Sequence, residues 1–582
     1  EIYDRALDGW AILLASLLLT IISFYSYDLY ASASLSVQPS IEVLVAILGI
    51  IAAVIYRSYR QFSPLAMYAL AWSLELLVAV SLSLVDRTTV NLAVANIALG
   101  LFTQLLGDWW RYKSRLKRQE ELRKREAEPL DLRSQAEPGN EWRYPSVHVI
   151  PLLYGLLGLI LRSHAFTNWT GLTVLGASLI AIGIGRRQQE FKPLVYLGLI
   201  GVSISAYESL LYQLFQTPGG AFGDGLIVLA TLGTTLTYIY RILAPWLSNY
   251  LGLTNAEIKI FAHLHWILSS WLLISASANV IKSGLNLGLV TGGLLVQYAF
   301  LQGRNNVDRK WGEIWIYLGW LEAFGIRLYC INTPLVKYIS GPLGPWKVAL
   351  ASLFAYLIYI MPWSSWGWSK NPWKVIASLI PIVAIVESPA KFYPVSLLIA
   401  AGFYIFLAWE QQQVRFTYVS VAIIDWILLR WFSEMGLNQP EWYFTPLGLS
   451  LLYIMQFDPM LKLPEQKSLH HNLRMLATGL ICGVPLLTQQ YNGLVAGAFS
   501  LVTIAAGLSL RVRAFLFVGT GIFLINVFYQ LVVLIFDYPL IKWAIGLAFG
   551  VLFIWIAATF ETRRDRIAAF VQHWVVQLQS WD

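Results

Sequence analysis

The stretch WGEIWIYLGWLEAFGIRLYCI, at residues 311–331, decides the fold class of this chain. It is mostly apolar and long enough to cross the roughly 30 Å hydrocarbon core of a membrane as one helix. Glu322 and Arg327 nevertheless lie well inside it. A charged side chain within a membrane helix is either part of a functional site or a polar contact that fixes helix packing.

The composition indicates a membrane protein rather than a soluble one. Hydrophobic residues make up 57% of the 582 residues and charged residues only 13%, which is too little charge to cover a soluble protein of this length. The apolar residues fall in blocks of about 17–24, the length of membrane-spanning helices. We therefore predict an all-α, polytopic integral membrane protein with about 20 transmembrane helices, surrounded by the lipid bilayer.

The positions of the basic residues predict the orientation in the membrane. Lys and Arg cluster after even-numbered spans, at residues 57–60, 111–118, 186–187 and 563–566 among others. Because short basic loops stay in the cytoplasm, both termini are expected to be cytoplasmic. The basic residues that produce the net charge of +8 therefore lie at helix ends, and the charge does not indicate nucleic acid as a partner. The sequence does not distinguish a plasma membrane from a thylakoid membrane.

The start of the chain carries no targeting signal that we recognise. It begins at Glu1 rather than methionine, from which we expect further residues upstream. The first apolar block runs on to spanning length, unlike the short apolar core of a secretory signal peptide.

The predicted spans group in fours, which suggests about five parallel four-helix repeats. An even number of spans per repeat gives every repeat the same orientation, unlike the inverted repeats of many transporters. The predicted segments are repeat 1 at 1–110, a cytoplasmic charged linker at 111–146, repeats 2 to 5 at 147–250, 251–370, 371–466 and 467–562, and an amphipathic interfacial helix at 563–582.

Aligning the third span of each repeat places polar residues at matching positions. The first matching position holds Glu75, Glu208, Glu322, Asp425 and Ile525. Five residues later stand Val80, Gln213, Arg327, Arg430 and Gln530. The polar members of both sets are the candidate site residues. They are interpreted either as an ion, proton or polar-substrate route, or as contacts that fix the register of neighbouring helices.

No catalytic residue, metal site or cofactor is predicted. His263 and His265 are two residues apart, so they face different sides of a helix, which is poor geometry for one metal ion. His470 and His471 occupy a similar place later in the chain. The HExxH, CxxC, Walker A, GxSxG and Rossmann patterns are absent from the sequence.

Two cytoplasmic segments could recruit protein partners. Residues 111–128 alternate in charge and are expected to extend the fourth span as a solvated helix that faces anionic lipid headgroups or a partner. In 563–582 an apolar stripe predicts a helix lying on the membrane surface, or packing against the bundle or a partner. The stripe consists of Ile567, Phe570, Val571, Trp574, Val575 and Leu578.

The sequence leaves three functions open. The first is a transporter or channel-like protein that uses the buried acids. The second is a non-catalytic membrane scaffold or a subunit of a larger membrane complex. The third is a membrane enzyme acting on a lipid-linked substrate, although the loops that such enzymes use are short here, so an enzyme is the less favoured reading. A mid-membrane cavity lined by the acids would favour transport, whereas acids bonded singly to neighbouring helices would favour the scaffold.

Overall fold

A computed structural model describes most of the chain as helices. The described residues are 2–27, 30, 40–60, 64–85, 88–126, 146–187, 191–305, 308–330, 341–387, 393–488, 493–579 and 581. Within these ranges the fold is all-α, with no β-strand, as the sequence predicts.

Twenty α-helices lie in the described part of the chain. They are α1 Ile2–Tyr25, α2 Ile41–Arg60, α3 Pro64–Val85, α4 Thr89–Glu126, α5 Ser146–Arg162, α6 Thr170–Gly185, α7 Lys192–Gln216, α8 Phe222–Leu251, α9 Asn255–Ser277, α10 Leu285–Gly303, α11 Arg309–Cys330, α12 Lys347–Ile360, α13 Lys370–Val386, α14 Pro394–Gln411, α15 Phe416–Glu434, α16 Pro440–Phe457, α17 Lys467–Thr488, α18 Leu494–Leu510, α19 Arg513–Asp537 and α20 Pro539–Gln579.

Twelve helices among the described residues are long and apolar enough to cross a membrane, which supports a multi-pass membrane protein. Four further apolar helices are shorter than this length. The prediction of about 20 spans is therefore not confirmed. The helix that decided the fold class, α11, is not among the twelve. It carries Glu322 and Arg327 in its second half and further charged residues in its first turn.

The chain divides into two compact units. Unit 1 consists of Glu1–Leu301 and Leu318–Thr333, and unit 2 consists of Gln302–Tyr317 and Pro334–Asp582, so the boundary falls within α11. In unit 1, helices pack extensively in sequential pairs, namely α2 with α3, α4 with α5, α6 with α7 and α8 with α9. Contacts between one pair and the next are sparser.

Within unit 2, extensive packing between the two helices of a pair again alternates with sparser packing between pairs. Its extensive pairs are α12 with α13, α14 with α15, α16 with α17 and α18 with α19. The last helix, α20, packs against α19 and is otherwise largely exposed. It continues without a break through residues 539–579, so the predicted span and the predicted amphipathic segment form one 41-residue helix.

Local sequence explains the tight turn between α8 and α9. Gly252 ends α8 in the left-handed conformation, with φ of 67°, which glycine adopts without a steric penalty. Thr254 then caps α9. Its hydroxyl accepts a hydrogen bond from the Glu257 N–H, while the Glu257 carboxylate accepts one from the Thr254 N–H at 2.7 Å. The turn brings α9 back along α8, which lets these helices build a common polar interior.

A glycine allows a similarly close approach of α6 and α7. A Cβ placed on Gly198 would lie 2.5 Å from the Ile182 side chain and 2.9 Å from the Ser178 carbonyl oxygen. The two backbones are therefore closer than a larger residue would permit, as is common between membrane helices.

Candidate functional site

Glu75 is fully buried at the packing of α3 with α4. One carboxylate oxygen, Oε1, accepts hydrogen bonds from the Asn96 amide at 2.8 Å and from the Tyr30 hydroxyl at 3.2 Å. The other oxygen, Oε2, is buried and has no hydrogen-bond partner among the described residues. A nearby hydroxyl, that of Tyr154, donates to the Ala71 carbonyl oxygen on α3.

Glu208 on α7 is held by an arginine from another helix. Both terminal nitrogens of Arg162, the last residue of α5, donate to its carboxylate, at 2.9 and 3.2 Å. Arg162 also donates to the Thr170 carbonyl oxygen at the start of α6. This forked ion pair joins three helices and neutralises both charges. Gln213, five residues further along α7, is exposed.

The other two predicted acids are buried beside serines. Glu322 on α11 lies next to Ser270 on α9. Asp425 on α15 lies next to Ser450 on α16. Each acid thus meets a hydroxyl of a different helix.

The arginines that follow these acids do not pair with them. The Arg327 guanidinium lies over the Phe324 ring, one turn away, with 5.9 Å from Cζ to the ring centroid. Arg430 donates to the Glu434 carboxylate at 2.9 Å. Both arginines therefore interact along their own helix, as expected for residues five positions from the acid.

In α19 the buried polar residue is not the one that the alignment selected. Ile525, at the aligned position, is 58% exposed, whereas Asn526 is buried. The Asn526 amide donates to the Gly493 carbonyl oxygen at 2.8 Å. Gln530 lies on the same side of the helix, near Gly493.

The structure therefore distributes the predicted residues rather than joining them. Glu75 is held by α4, Glu208 by α5, and the other two acids lie beside α9 and α16. No two of these acids share a hydrogen-bond partner among the described residues.

A larger polar cluster lies where α7, α8 and α9 meet, and we call it the His265 chain. It consists of Tyr207, His265, Ser203 and Tyr240. His265 Nδ1 is 3.3 Å from the Tyr207 hydroxyl, and Nε2 is 2.9 Å from Ser203 Oγ. Ser203 Oγ is in turn 3.1 Å from the Tyr240 hydroxyl. Both imidazole nitrogens are thus occupied, and the four side chains form one continuous hydrogen-bonded path.

Aromatic packing fixes the imidazole in this path. The His265 ring stacks on Tyr240, with 5.6 Å between centroids and planes 6° apart, and on Tyr207 at 5.9 Å. Gly233 of α8 leaves room for the Tyr207 hydroxyl and for Ser269, because a Cβ there would lie 2.4 and 2.3 Å from the two oxygens. Ser269 Oγ is fully buried without a hydrogen-bond partner in the described structure.

A second polar group lies toward the start of α7 and α9. Glu257 accepts hydrogen bonds from Lys192 and from the Tyr196 hydroxyl, each at 2.8 Å. Phe261 separates this group from the His265 chain, because its ring packs on Tyr196 at 6.3 Å and on Tyr240 at 5.9 Å. A phenyl ring can neither donate nor accept a proton, so it interrupts the path.

His263 faces a different side of α9, as its spacing from His265 predicts. Its Nδ1 is 2.9 Å from the Tyr298 hydroxyl on α10. Among the described residues, no three His, Cys, Asp or Glu side chains lie together as a metal site would require.

His265 is not among the residues predicted from the sequence, because its spacing from His263 only argues against a shared metal ion. The signal that could have identified it is a pattern of polar residues along α9, with His265, Ser269 and Ser270 on an otherwise apolar span.

Comparison with known proteins adds no functional information. The chain matches no protein-family model, no curated protein and no solved structure.

Proposed function

We propose that this protein is a membrane transporter or channel-like protein that moves protons along the His265 chain of unit 1. The observation that carries the proposal is the unbroken path Tyr207–His265–Ser203–Tyr240. Every member can both donate and accept a hydrogen bond, as the steps of a proton relay require. Such side-chain relays inside membranes are typical of proton pathways.

The position of the path within its helices agrees with this role. In the predicted orientation, α7 starts at the cytoplasmic side, so Ser203 and Tyr207 lie in the middle of the span. His265 is likewise well inside α9. At the cytoplasmic end, Phe261 separates the path from Tyr196 and Glu257, so a proton crosses this gap only when water bridges it.

The test is proton flux through the purified full chain in liposomes that contain a pH-sensitive dye. A potassium diffusion potential supplies the driving force. We expect wild-type protein to acidify or alkalinise the lumen faster than protein-free vesicles, and His265→Gln to lower this flux about tenfold or more, because a positioned proton-transfer group is lost.

His263→Gln is the matched control, since it changes a half-buried histidine two residues away that lies outside the path. It should leave the flux within about twofold of wild type. Wild-type flux no greater than that of empty vesicles, or equal losses in both variants, contradicts the proposal.

A second function, a scaffold or complex subunit, is favoured by the way the acids are held. Glu208 with Arg162, and Asn526 with the Gly493 backbone, are contacts that join helices. The predicted partner segments, 111–128 and 563–582, would then bind other proteins.

The scaffold is tested by the size of the particle extracted from the native membrane in mild detergent. We expect full-length protein to migrate above the mass of the chain with its detergent, and a chain lacking residues 563–582 to lose that extra mass. Identical migration of both at the mass of a single chain contradicts the scaffold.

We also propose that the chain is built from parallel repeats of four helices each. The support is that a buried or half-buried polar residue recurs on every fourth helix, on α3, α7, α11, α15 and α19. The five residues are Glu75, Glu208, Glu322, Asp425 and Asn526, of which Glu208 is half-buried. Both termini are cytoplasmic in this arrangement, and reporter fusions at each end test it.

A further inference from the structure

Glu75 differs from Glu208 in that no cationic side chain contacts it in the described structure. The hydrogen bonds to its carboxylate come from Asn96 and Tyr30, which are both neutral. Glu75 is completely buried, whereas the half-buried Glu208 has the full guanidinium of Arg162 opposite it. An uncompensated carboxylate inside a membrane is unfavourable by several kcal/mol, so Glu75 is either protonated or paired with a cation that the described side chains do not supply.

Two acceptor oxygens at this place lack donors. They are Glu75 Oε2 and Asn96 Oδ1, both buried and both without a hydrogen-bond partner among the described residues. The Asn96 amide nitrogen is already used, since it donates to Glu75 Oε1 at 2.8 Å and to the Leu92 carbonyl oxygen at 3.0 Å. The amide group is thereby fixed beside the carboxylate, and its oxygen is left free.

We propose that Glu75, Asn96 and Tyr30 form a binding site for a small monovalent cation of the sodium class. The carboxylate supplies the charge, and the amide and phenol oxygens supply neutral ligands. Hard oxygen donors of this kind suit alkali and alkaline-earth cations rather than transition metals.

Charge selects a monovalent ion over a divalent one. One carboxylate and two neutral oxygens leave a sodium complex neutral, whereas Mg²⁺ or Ca²⁺ would leave one net positive charge in a low-dielectric site. Glu75 and Asn96 lie on α3 and α4, Tyr30 precedes α2, and none of the three belongs to the His265 chain. This inference therefore does not depend on the proposed proton path.

The experiment measures sodium binding to the full chain purified in detergent. Radioactive sodium is titrated at constant ionic strength, with choline replacing sodium, and the thermal unfolding midpoint is followed in the same buffers. We expect saturable binding near one ion per chain and a midpoint that rises with sodium, because a ligand that binds only the folded state stabilises it.

Glu75→Gln should lower sodium binding about tenfold or more and abolish the sodium-dependent rise of the midpoint, because the anionic ligand is lost. Asn96→Ala should weaken binding while leaving the carboxylate in place. Gln104→Leu is the matched control, since Gln104 is buried on the same helix as Asn96, about 12 Å further along.

The wild-type measurement decides the proposal even if a variant fails to fold. No saturable sodium binding to wild-type protein, or a midpoint that responds to sodium and choline alike, overturns it. A midpoint that depends on pH but not on sodium also overturns it, because a proton then neutralises Glu75.

Discussion

The forked contact between Arg162 and Glu208 shows how one residue pair can join helices that are distant in sequence. The two side chains come from α5 and α7 and retain about a fifth of their exposure, 18% and 21%. Contact with the other side chain therefore replaces most of the water around each charged group. Removing one partner leaves a poorly hydrated charge, whereas removing both removes the requirement for a partner.

This asymmetry gives a prediction for a double-mutant cycle. Arg162→Met should destabilise the fold by about 3 kcal/mol, the lower end of the range for buried pairs, and Glu208→Met should do so similarly. The double variant should be more stable than either single variant. Thermal unfolding midpoints in one detergent provide the comparison, and additive losses would show that the two charges do not interact.

Phe261 is the residue that separates the His265 chain from Tyr196 and Glu257. Phe261→Ala would leave space for water between Tyr240 and Tyr196, so we expect faster proton flux in liposomes together with lower stability. Phe261→Leu keeps the space apolar and filled and should conduct as wild type does. Slower flux in the alanine variant would show that Phe261 does not obstruct the path.

At the scale of elements, the close approach of α7, α8 and α9 depends on Gly233. A Cβ at this position would collide with the Tyr207 hydroxyl and with Ser269. Gly233→Ala should therefore break the Tyr207–His265 hydrogen bond, lower the proton flux and lower the unfolding midpoint.

Gly225, on the same helix, provides the control for this prediction. A Cβ on Gly225 would touch only a Leu214 methyl group, at 4.0 Å, which is an ordinary contact. Gly225→Ala should be neutral or slightly stabilising, because alanine favours helix. Equal effects of the two substitutions would mean that the space beside Gly233 has no role.

The sequence predicted the kind of element well and the orientation of side chains less well. Long apolar blocks indicate helices wherever they occur, because backbone groups in lipid must be bonded within the helix. In α19, however, the register carried over from the other repeats selected the apolar Ile525, although the polar Asn526 is the next residue. A shift of one residue turns a side chain by about 100° around the helix. This is enough to move it from the surface that faces lipid to the surface that faces the other helices.

The candidate site was predicted only in part for a related reason. Glu75, Glu322 and Asp425 stand out as acids in apolar helices, and they are indeed buried. The partner of Glu208 is 46 residues away, and the sequence offers no rule that pairs it with Arg162. The role of His265 depends on Ser203 and Tyr240 from two other helices, and a single-helix pattern does not contain that information.

For the molecule as a whole, the decisive feature is that each buried acid has its own neighbouring helix. Within unit 1 Glu322 lies beside α9, and within unit 2 Asp425 lies beside α16. Glu322 and Asp425 are better explained as polar contacts within their own packing, while we propose that protons move along the His265 chain.

This separation gives the last prediction. Glu322→Gln and Asp425→Asn keep the shape and hydrogen-bonding capacity of each side chain, so both variants should retain proton flux within about twofold of wild type and lose only about 1 kcal/mol of stability. Liposome flux and unfolding midpoints measured on the same preparations test both parts. If either variant lost flux as completely as His265→Gln while its unfolding midpoint stayed unchanged, that acid would belong to the proton path, and the path would have to extend beyond α7, α8 and α9.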